Sequence, residues 1–455
     1  MSDTLYLDAL GPSGPYRPTR RSAVEDVTGT RVAELALVSE LFAHRAVNAL
    51  RAAVPLPSDE RIAALERAGR AFASTPVGGV PTQEYERLVA RVSGTPLPAV
   101  RATTRSIANA ALEAHRAAHA ARPQGAVDDW RSPSARAGGA LWSRRGGVLA
   151  VHAPGNHPGV HAQWLEALAL GYRVAVRPSR REPFTPQRLV QALRTAGFPQ
   201  DHVALLPCEH GVADTLIRDA DLAMVYGGDD VVDRHRADPR VLAQGPGRSK
   251  VLITKDHSAA TVLDTVVDSV LHQGGTACVN ATSVFVEGDP RPLARMIAAR
   301  LRGLPVLPPD AEDAVLPVRP VATARALAGH LAARAADAVS HGEDVVADIG
   351  DGSACLRPAV HSLDGADAPQ HRTELPFPCV WVAPWSRSDG MAPLRDTLAL
   401  TAVTDDERLI DRLMSEPTVR NVYVGAHPTH WTVPGVPHDG YLGEFLMRSK
   451  GLRHA

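Results

Sequence analysis

From Gly147 onward, short apolar runs alternate with stretches in which apolar residues recur every three or four positions. Val148–Ala153 reads as a strand, and a helix is predicted from about Val160 to Leu170. Val174–Val176 reads as a second strand, followed by a helix opened by Thr185-Pro186. Val203–Leu206, Leu222–Val225 and Val251–Thr254 continue the series, again with helices between them. Strands joined by helical crossovers predict βαβ units, with a parallel sheet covered by helices on both faces. Such sheets bind nucleotides at the carboxyl ends of their strands. Ahead of this unit, residues 1–125 read mostly as helix after an irregular start. Pro57-Ser58-Asp59-Glu60 predicts a capped helix with acids in its first turn. Ile62, Leu65, Ala68 and Phe72 then recur at helical spacing. Residues 104–121 form a second, alanine-rich helical pattern. Residues 126–146 contain Pro and Gly and read as an extended excursion. After Asp256 come a predicted helix (Ala259–Leu271), the run Gly274-Gly275-Thr276-Ala277-Cys278, and a strand (Thr282–Val286). A second α/β unit then runs to about residue 430, with strands at Val345–Ile349, Cys379–Ala383 and Asn421–Gly425. The Gly/Pro-rich end reads as a tail that packs on something else.

Length and composition narrow the field. The 455 residues hold two or three domains at roughly 150 residues each. A net charge of −1 with 4 % aromatics offers neither a nucleic-acid nor an anionic-membrane footprint. No run reaches the roughly 18 apolar residues of a membrane span. The beginning, MSDTLYLDALGPSG, lacks the basic-then-apolar pattern of a signal peptide. The four cysteines (Cys208, Cys278, Cys355, Cys379) are scattered without a CxxC pair, which argues against a disulfide framework or a structural zinc site. The expectation is a reducing, cytoplasmic setting in which a free thiol can do chemistry.

Five loops carry candidate chemistry. Ala153-Pro154-Gly155-Asn156-His157-Pro158 follows the first parallel strand; Asn156 can aim its amide at a neighbouring pocket or can serve an Asx-type turn. Val176-Arg177-Pro178-Ser179-Arg180-Arg181 follows the second strand, where a nucleotide ribose would sit; the arginines can bind phosphate or be a solvated basic loop. Gly227-Gly228-Asp229-Asp230 allows close backbone approach and a helix N-terminus for phosphate, or is simply a tight turn with an Asp cap. Gln244-Gly245-Pro246-Gly247-Arg248-Ser249-Lys250 leads into the next strand. Cys278, held just past a glycine turn, is a candidate nucleophile toward a carbonyl, while a buried, inert role suits Cys208, Cys355 and Cys379.

In order and spacing, these loops over about residues 60–385 resemble the aldehyde dehydrogenase superfamily, most clearly at APGNHP, RPSR, YGGDD, GPGRSK and GGTAC, continuing into Glu374-Leu375-Pro376-Phe377. The resemblance implies an α/β fold with a Rossmann-type parallel-sheet cofactor domain (1–125 and 147–255), an α/β catalytic domain (256–426) and a small oligomerisation arm and tail (126–146 and 427–455). It implies that Cys278 is the nucleophile and that Asn156 stabilises the oxyanion. It also implies that NADP or NAD lies against Pro154, Gly155, Arg177, Ser179, Arg180, Gly227, Gly228, Gly245, Pro246, Gly247, Glu374 and Phe377.

Three departures from the family pattern shape the expected activity. Where hydrolytic members carry a general-base Glu in Glu-Leu-Gly-Gly, this chain reads Gln244-Gly245-Pro246-Gly247, and an amide cannot take a proton from water. Gly-Pro-Gly there and Gly-Thr-x-Cys at the nucleophile are similar to the acylating, acyl-CoA reductase branch. That implies reduction of an acyl thioester, bound to CoA or to a carrier protein's phosphopantetheine arm, to an aldehyde; the alternative is oxidation of an aldehyde to an acid. Arg177 replaces the family's cofactor Lys and Arg180 a Glu that excludes a 2′-phosphate, so NADP is the expected cofactor. Glu374 is displaced by one position from the family's ribose-contacting Glu. A homodimer or homotetramer is expected.

Overall fold

The computed structural model describes residues 5–454. The first of its two seven-stranded sheets is organised around Val148–His152. This strand pairs in parallel with Arg173–Arg177 on one side and with Leu222–Tyr226 on the other. Val203–Leu205 continues the sheet beyond the former, and Val241–Gln244 beyond the latter. The order of strands therefore reverses at Val148–His152, and the crevice at its carboxyl end is a topological switch point. Leu149, Val151, Val174 and Val176 face one apolar layer, while Val148, Ala150, Ala175 and Ala204 face another. Burial on both faces is why these strands read as continuous apolar runs rather than as alternation.

The amino-terminal region departs from the helical expectation. Among the described residues, five strands precede the first helix. Ala9–Gly11 and Gly14–Tyr16 form a hairpin that adds an antiparallel edge to the first sheet. Leu5–Leu7, Arg31–Ala36 and Arg21–Glu25 form a separate three-stranded sheet. Helices Ser58–Ser74 and Leu97–His119 then pack on the first sheet's helical layer. The predicted cap at the start of the former is absent: Pro57 holds that position and no side chain caps the helix. The predicted Val160–Leu170 helix is two pieces, a 3-10 turn at Pro158–Ala162 and a short helix at Leu165–Ala169.

The second sheet corrects one strand assignment. The strand expected at Val251–Thr254 as the fifth of the first sheet is Ser249–Ile253, and it lies inside the second sheet, between Ala281–Val286 and Thr397–Val403. The first sheet's fifth strand is Val241–Gln244, a half-buried edge. The passage between the sheets thus falls in 245–248, not at 255. Cys379–Pro384 and Val419–Val424 take their expected places in the second sheet. Val346–Asp348 instead joins Ser353–Leu356 and Val318–Pro320 in a small antiparallel sheet.

Gly139–Arg144 pairs with Met447–Leu452, so the end of the 126–146 excursion and the end of the chain build one two-stranded ribbon. Residues 427–440 do not join it. They return over the second sheet, where the Thr429 N–H donates to Ser269 Oγ and the His430 ring stacks on His272 at 3.7 Å. Among the described residues no helix is long and apolar enough to cross a membrane.

Candidate active site

Loops at the carboxyl ends of the first sheet meet loops at the amino ends of the second. Asn156 follows Val148–His152, Cys278 precedes Ala281–Val286, and Glu374 and Phe377 precede Cys379–Pro384. They enclose a cavity of about 150 Å³ lined by Asn156, Gly275, Thr276, Ala277, Glu374 and Phe377.

The loop that carries Cys278, the candidate nucleophile, is fixed from several sides. Gly275 has φ +68, and a Cβ on it would lie 2.4 Å from the Pro378 nitrogen, so the turn demands glycine. The buried Asn280 amide accepts the Ala277 N–H at 2.8 Å and donates to the carbonyls of Ser269, Val270 and His272. Ser249 Oγ donates to the Cys278 carbonyl at 3.2 Å. Cys278 itself is exposed, whereas Cys208, Cys355 and Cys379 are buried. Although it opens to solvent, its sulphur is crowded by protein. That low-dielectric surrounding is the largest cause pushing the thiol up to about 12; the Glu374 and Asp439 carboxylates add to it, and the Cys278 and Val279 N–H groups oppose it. The resting sulphur is a protonated thiol and needs a base to become a nucleophile. His438 Nε2 stands 3.9 Å from Sγ.

Asn156 is not the turn residue of its loop. The turn is made by His157, whose Nδ1 accepts the Gly159 N–H at 3.0 Å. The Asn156 side chain makes no hydrogen bond with any described residue and lines the cavity beside the nucleophile loop. A free carboxamide at such a cavity is chemically able to donate to an oxygen that develops charge.

The groups expected to hold a nicotinamide cofactor are spread along the switch point. Arg177 and His152 are register partners on adjacent strands. Both side chains are buried at Arg177 Nε and His152 Nε2, and neither atom has a partner. Burial and the Arg177 charge hold His152 down to about 3, so its imidazole is neutral. Two orphaned polar atoms in this crevice fit an oxygen-rich ligand such as a nucleotide ribose or phosphate. Arg180 and Arg181 are exposed beside them, and Ser179 accepts the Arg181 N–H at 3.2 Å and abuts Gly155. Pro154 is half-buried next to Gly155.

Gly227 and Gly228 stand at the end of Leu222–Tyr226, but the helix they open has only seven residues and carries Asp229 and Asp230 in its first turn. Both carboxylates stand in the first turn of that helix, beside the glycines expected to let a cofactor approach. Asp229 pairs with Arg248 Nη2 at 2.5 Å. Gly245 is exposed and Pro246 half-buried in the passage between sheets, and Gly247 is buried against Cys278. Glu374 Oε2 accepts the Arg248 N–H at 2.8 Å, and burial raises this carboxyl group. Phe377 is buried beneath the cavity.

The chain matches the model of the aldehyde dehydrogenase family over residues 17–441. The chain belongs to this family. Among curated relatives it is 28 % identical over 302 residues to an N-succinylglutamate 5-semialdehyde dehydrogenase of Caulobacter sp. (strain K31), covering 64 % of this chain and 60 % of that one. It is 23 % identical over 169 residues to a probable acylating methylmalonate-semialdehyde/malonate-semialdehyde dehydrogenase of Caenorhabditis elegans, covering 35 % and 32 %. The match thus spans 60 % of the first relative and about a third of the second, under two thirds of either. Among solved structures, an indole-3-acetaldehyde dehydrogenase of P. syringae in complex with NAD+ superposes with a TM-score of 0.84 at 16 % identity, covering 99 % of this chain and 97 % of that one. A gamma-glutamyl-gamma-aminobutyraldehyde dehydrogenase of Burkholderia cenocepacia J2315 gives 0.82 at 18 %, covering 98 % and 97 %. These likenesses establish the aldehyde dehydrogenase fold.

Sequence reasoning missed two residues beside the nucleophile. Asn280 carried a signal, a carboxamide two positions past the cysteine and immediately before the strand Ala281–Val286. His438 carried none, because it reaches Cys278 across 160 residues of chain.

Proposed function

We propose that this aldehyde dehydrogenase family member is an acylating oxidoreductase. In this reading it reduces an acyl thioester, carried by CoA or a phosphopantetheine arm, to an aldehyde, or runs the reverse reaction, through an acyl group on Cys278. The observation that carries the reading is Gln244. It ends the strand Val241–Gln244 where a hydrolytic member's base would stand, and its amide accepts no proton. The carboxylates nearest the sulphur are otherwise engaged: Glu374 by the Arg248 N–H, and Asp439 by Arg420 at 3.2 Å. A bound nicotinamide cofactor supplies or accepts the hydride. Cys278 holds the acyl group, Asn156 and the Cys278 N–H receive the developing oxyanion, and Arg177, Arg180 and His152 hold the adenosine end. The arginine-lined crevice supports NADP, and the ribbon formed by Gly139–Arg144 and Met447–Leu452 supports a homodimer or homotetramer.

Oxidation of an aldehyde to its acid is the second reading, favoured by the His438 imidazole at the sulphur, which is chemically able to deprotonate water. Supplying a panel of aldehydes with NADP+ or NAD+, with and without CoA, and identifying products by mass spectrometry separates the two. The expected outcome is thiol-dependent turnover giving the acyl thioester; acid formed at the same rate without any thiol overturns the acylating reading.

A further inference from the structure

A thiol held up near 12 cannot attack a carbonyl unaided at neutral pH, and the family's carboxylate base is replaced by Gln244. We propose that His438, delivered by the returning segment 427–440, is the general base that takes the Cys278 thiol proton as the sulphur attacks. The inference rests on Cys278 being the nucleophile and holds whether a thiol or water later receives the acyl group.

The geometry is direct. His438 Nε2 lies 3.9 Å from Cys278 Sγ, within reach of a hydrogen bond to sulphur that tightens when substrate seats. The segment that carries it is anchored on both sides. The buried Asn421 amide donates to the carbonyls of Leu398 and His438, tying the backbone at the histidine to the second sheet. Asp439, next along the chain, pairs with Arg420 of the same strand at 3.2 Å. Tyr441 Oη donates to the Gly435 carbonyl at 3.1 Å and closes the loop on itself, and Leu446 is fully buried beyond it. Upstream, the Thr429 N–H and the His430–His272 stack hold the segment to the helix before the nucleophile loop. These contacts fix the backbone that presents the His438 imidazole to the sulphur.

The groups facing His438 are Cys278 from the nucleophile loop, Asp439 beside it, Arg420 from Val419–Val424, and Glu166, Gln244, Tyr441 and Glu444 around a shared pocket of about 370 Å³. Burial lowers His438, and Asp439 only partly offsets it, so the imidazole is neutral at pH 7 and free to accept a proton. Together with the raised thiol, this makes a resting thiolate–imidazolium pair unfavourable. Proton transfer accompanies attack: the Cys278 S–H bond breaks, the proton passes to Nε2, and the new sulphur–carbon bond forms. With a thioester, the carbonyl carbon–sulphur bond then breaks and the departing thiolate takes the proton back from the imidazolium. Nothing is oxidised or reduced in this acyl transfer, so it can be followed without cofactor.

The test uses p-nitrophenyl acetate as acylating probe, following the burst of nitrophenolate and the intact mass of the acetylated chain across pH 5–10. The native burst rate is expected to rise through an inflection below about 6.5, the ordinary histidine value, and then to level off. His438→Gln should lower the rate at pH 7 by roughly 10²- to 10⁴-fold. Its remaining rate should climb with pH past 9, following the thiol, and added imidazole should restore part of the loss in His438→Ala. Nicotinamide-cofactor binding, read by protein fluorescence, should survive in both variants. A native profile without the low inflection, or an unchanged burst in His438→Gln, overturns the proposal whatever the variants' stability. Acetylation that persists in Cys278→Ala would instead overturn the assignment of the nucleophile, a separate failure.

Discussion

A Cβ built on Gly247 would fall 1.8 Å from the carbonyl oxygen of Cys278. The passage between the two sheets therefore touches the backbone of Cys278 itself, and the second glycine of Gly245-Pro246-Gly247 allows that approach. Gly247→Ala should push the Cys278 loop aside at a cost of about 1–3 kcal/mol in stability. Displacing the reacting sulphur by about an ångström should cost on the order of a hundredfold in acylation rate. Thermal unfolding and the single-turnover burst read the two separately; a stable variant with the native burst rate would show that the loop tolerates the displacement.

Cys278→Ala should abolish turnover and acyl-enzyme formation while leaving cofactor binding intact. The other three cysteines are buried, and burial pushes Cys208 and Cys379 up to about 11 and about 12 without an open path to solvent. Intact-mass measurement after acyl-thioester treatment decides the matter: an acyl adduct on the variant would move the chemistry to another residue.

Asn156→Ala removes a carboxamide that has no structural partner, so its cost should fall on rate rather than on folding. Loss of one oxyanion donor lowers the catalytic constant by roughly a hundred- to a thousandfold. The comparison to make is turnover per folded molecule against melting temperature. A lowered melting temperature with normal turnover would return Asn156 to a turn-forming role.

The chain's pattern was informative where the backbone is fixed locally. Cys278 and Asn156 were legible because each sits in a short loop whose glycine and proline neighbours fix the backbone locally. The parallel strands were legible from their apolar runs, but not which sheet owned them. Ser249–Ile253 is buried on both faces in the second sheet and would read the same in the first. The strands between Leu5 and Ala36 are three to six residues long and rich in Gly and charge, too short to display alternation. His438 and Arg420 reach the site only through the return of the chain over a finished sheet, and no local spacing announces that.

The NADP reading rests on the carboxyl end of Arg173–Arg177. Arg177 is buried there with Nε unpartnered, while Arg180 and Arg181 stand exposed in the same loop. A carboxylate in this place would accept a hydrogen bond from a free 2′-hydroxyl and repel a 2′-phosphate, and arginine does the reverse. Each charge-assisted hydrogen bond to phosphate contributes about 1.5–3 kcal/mol, so a single one gives a preference of about tenfold or more. Arg180, being exposed, can be changed without leaving an orphaned buried charge, which Arg177 cannot. Arg180→Glu should therefore fold as the native chain does and shift the ratio of catalytic efficiencies from NADPH toward NADH by at least that factor. Raised salt should weaken the native preference, because the contact is partly open to solvent. If the native enzyme favours NADH, or the substitution leaves the ratio unmoved, Arg180 and Arg181 are solvated surface and the cofactor's ribose is read by other groups.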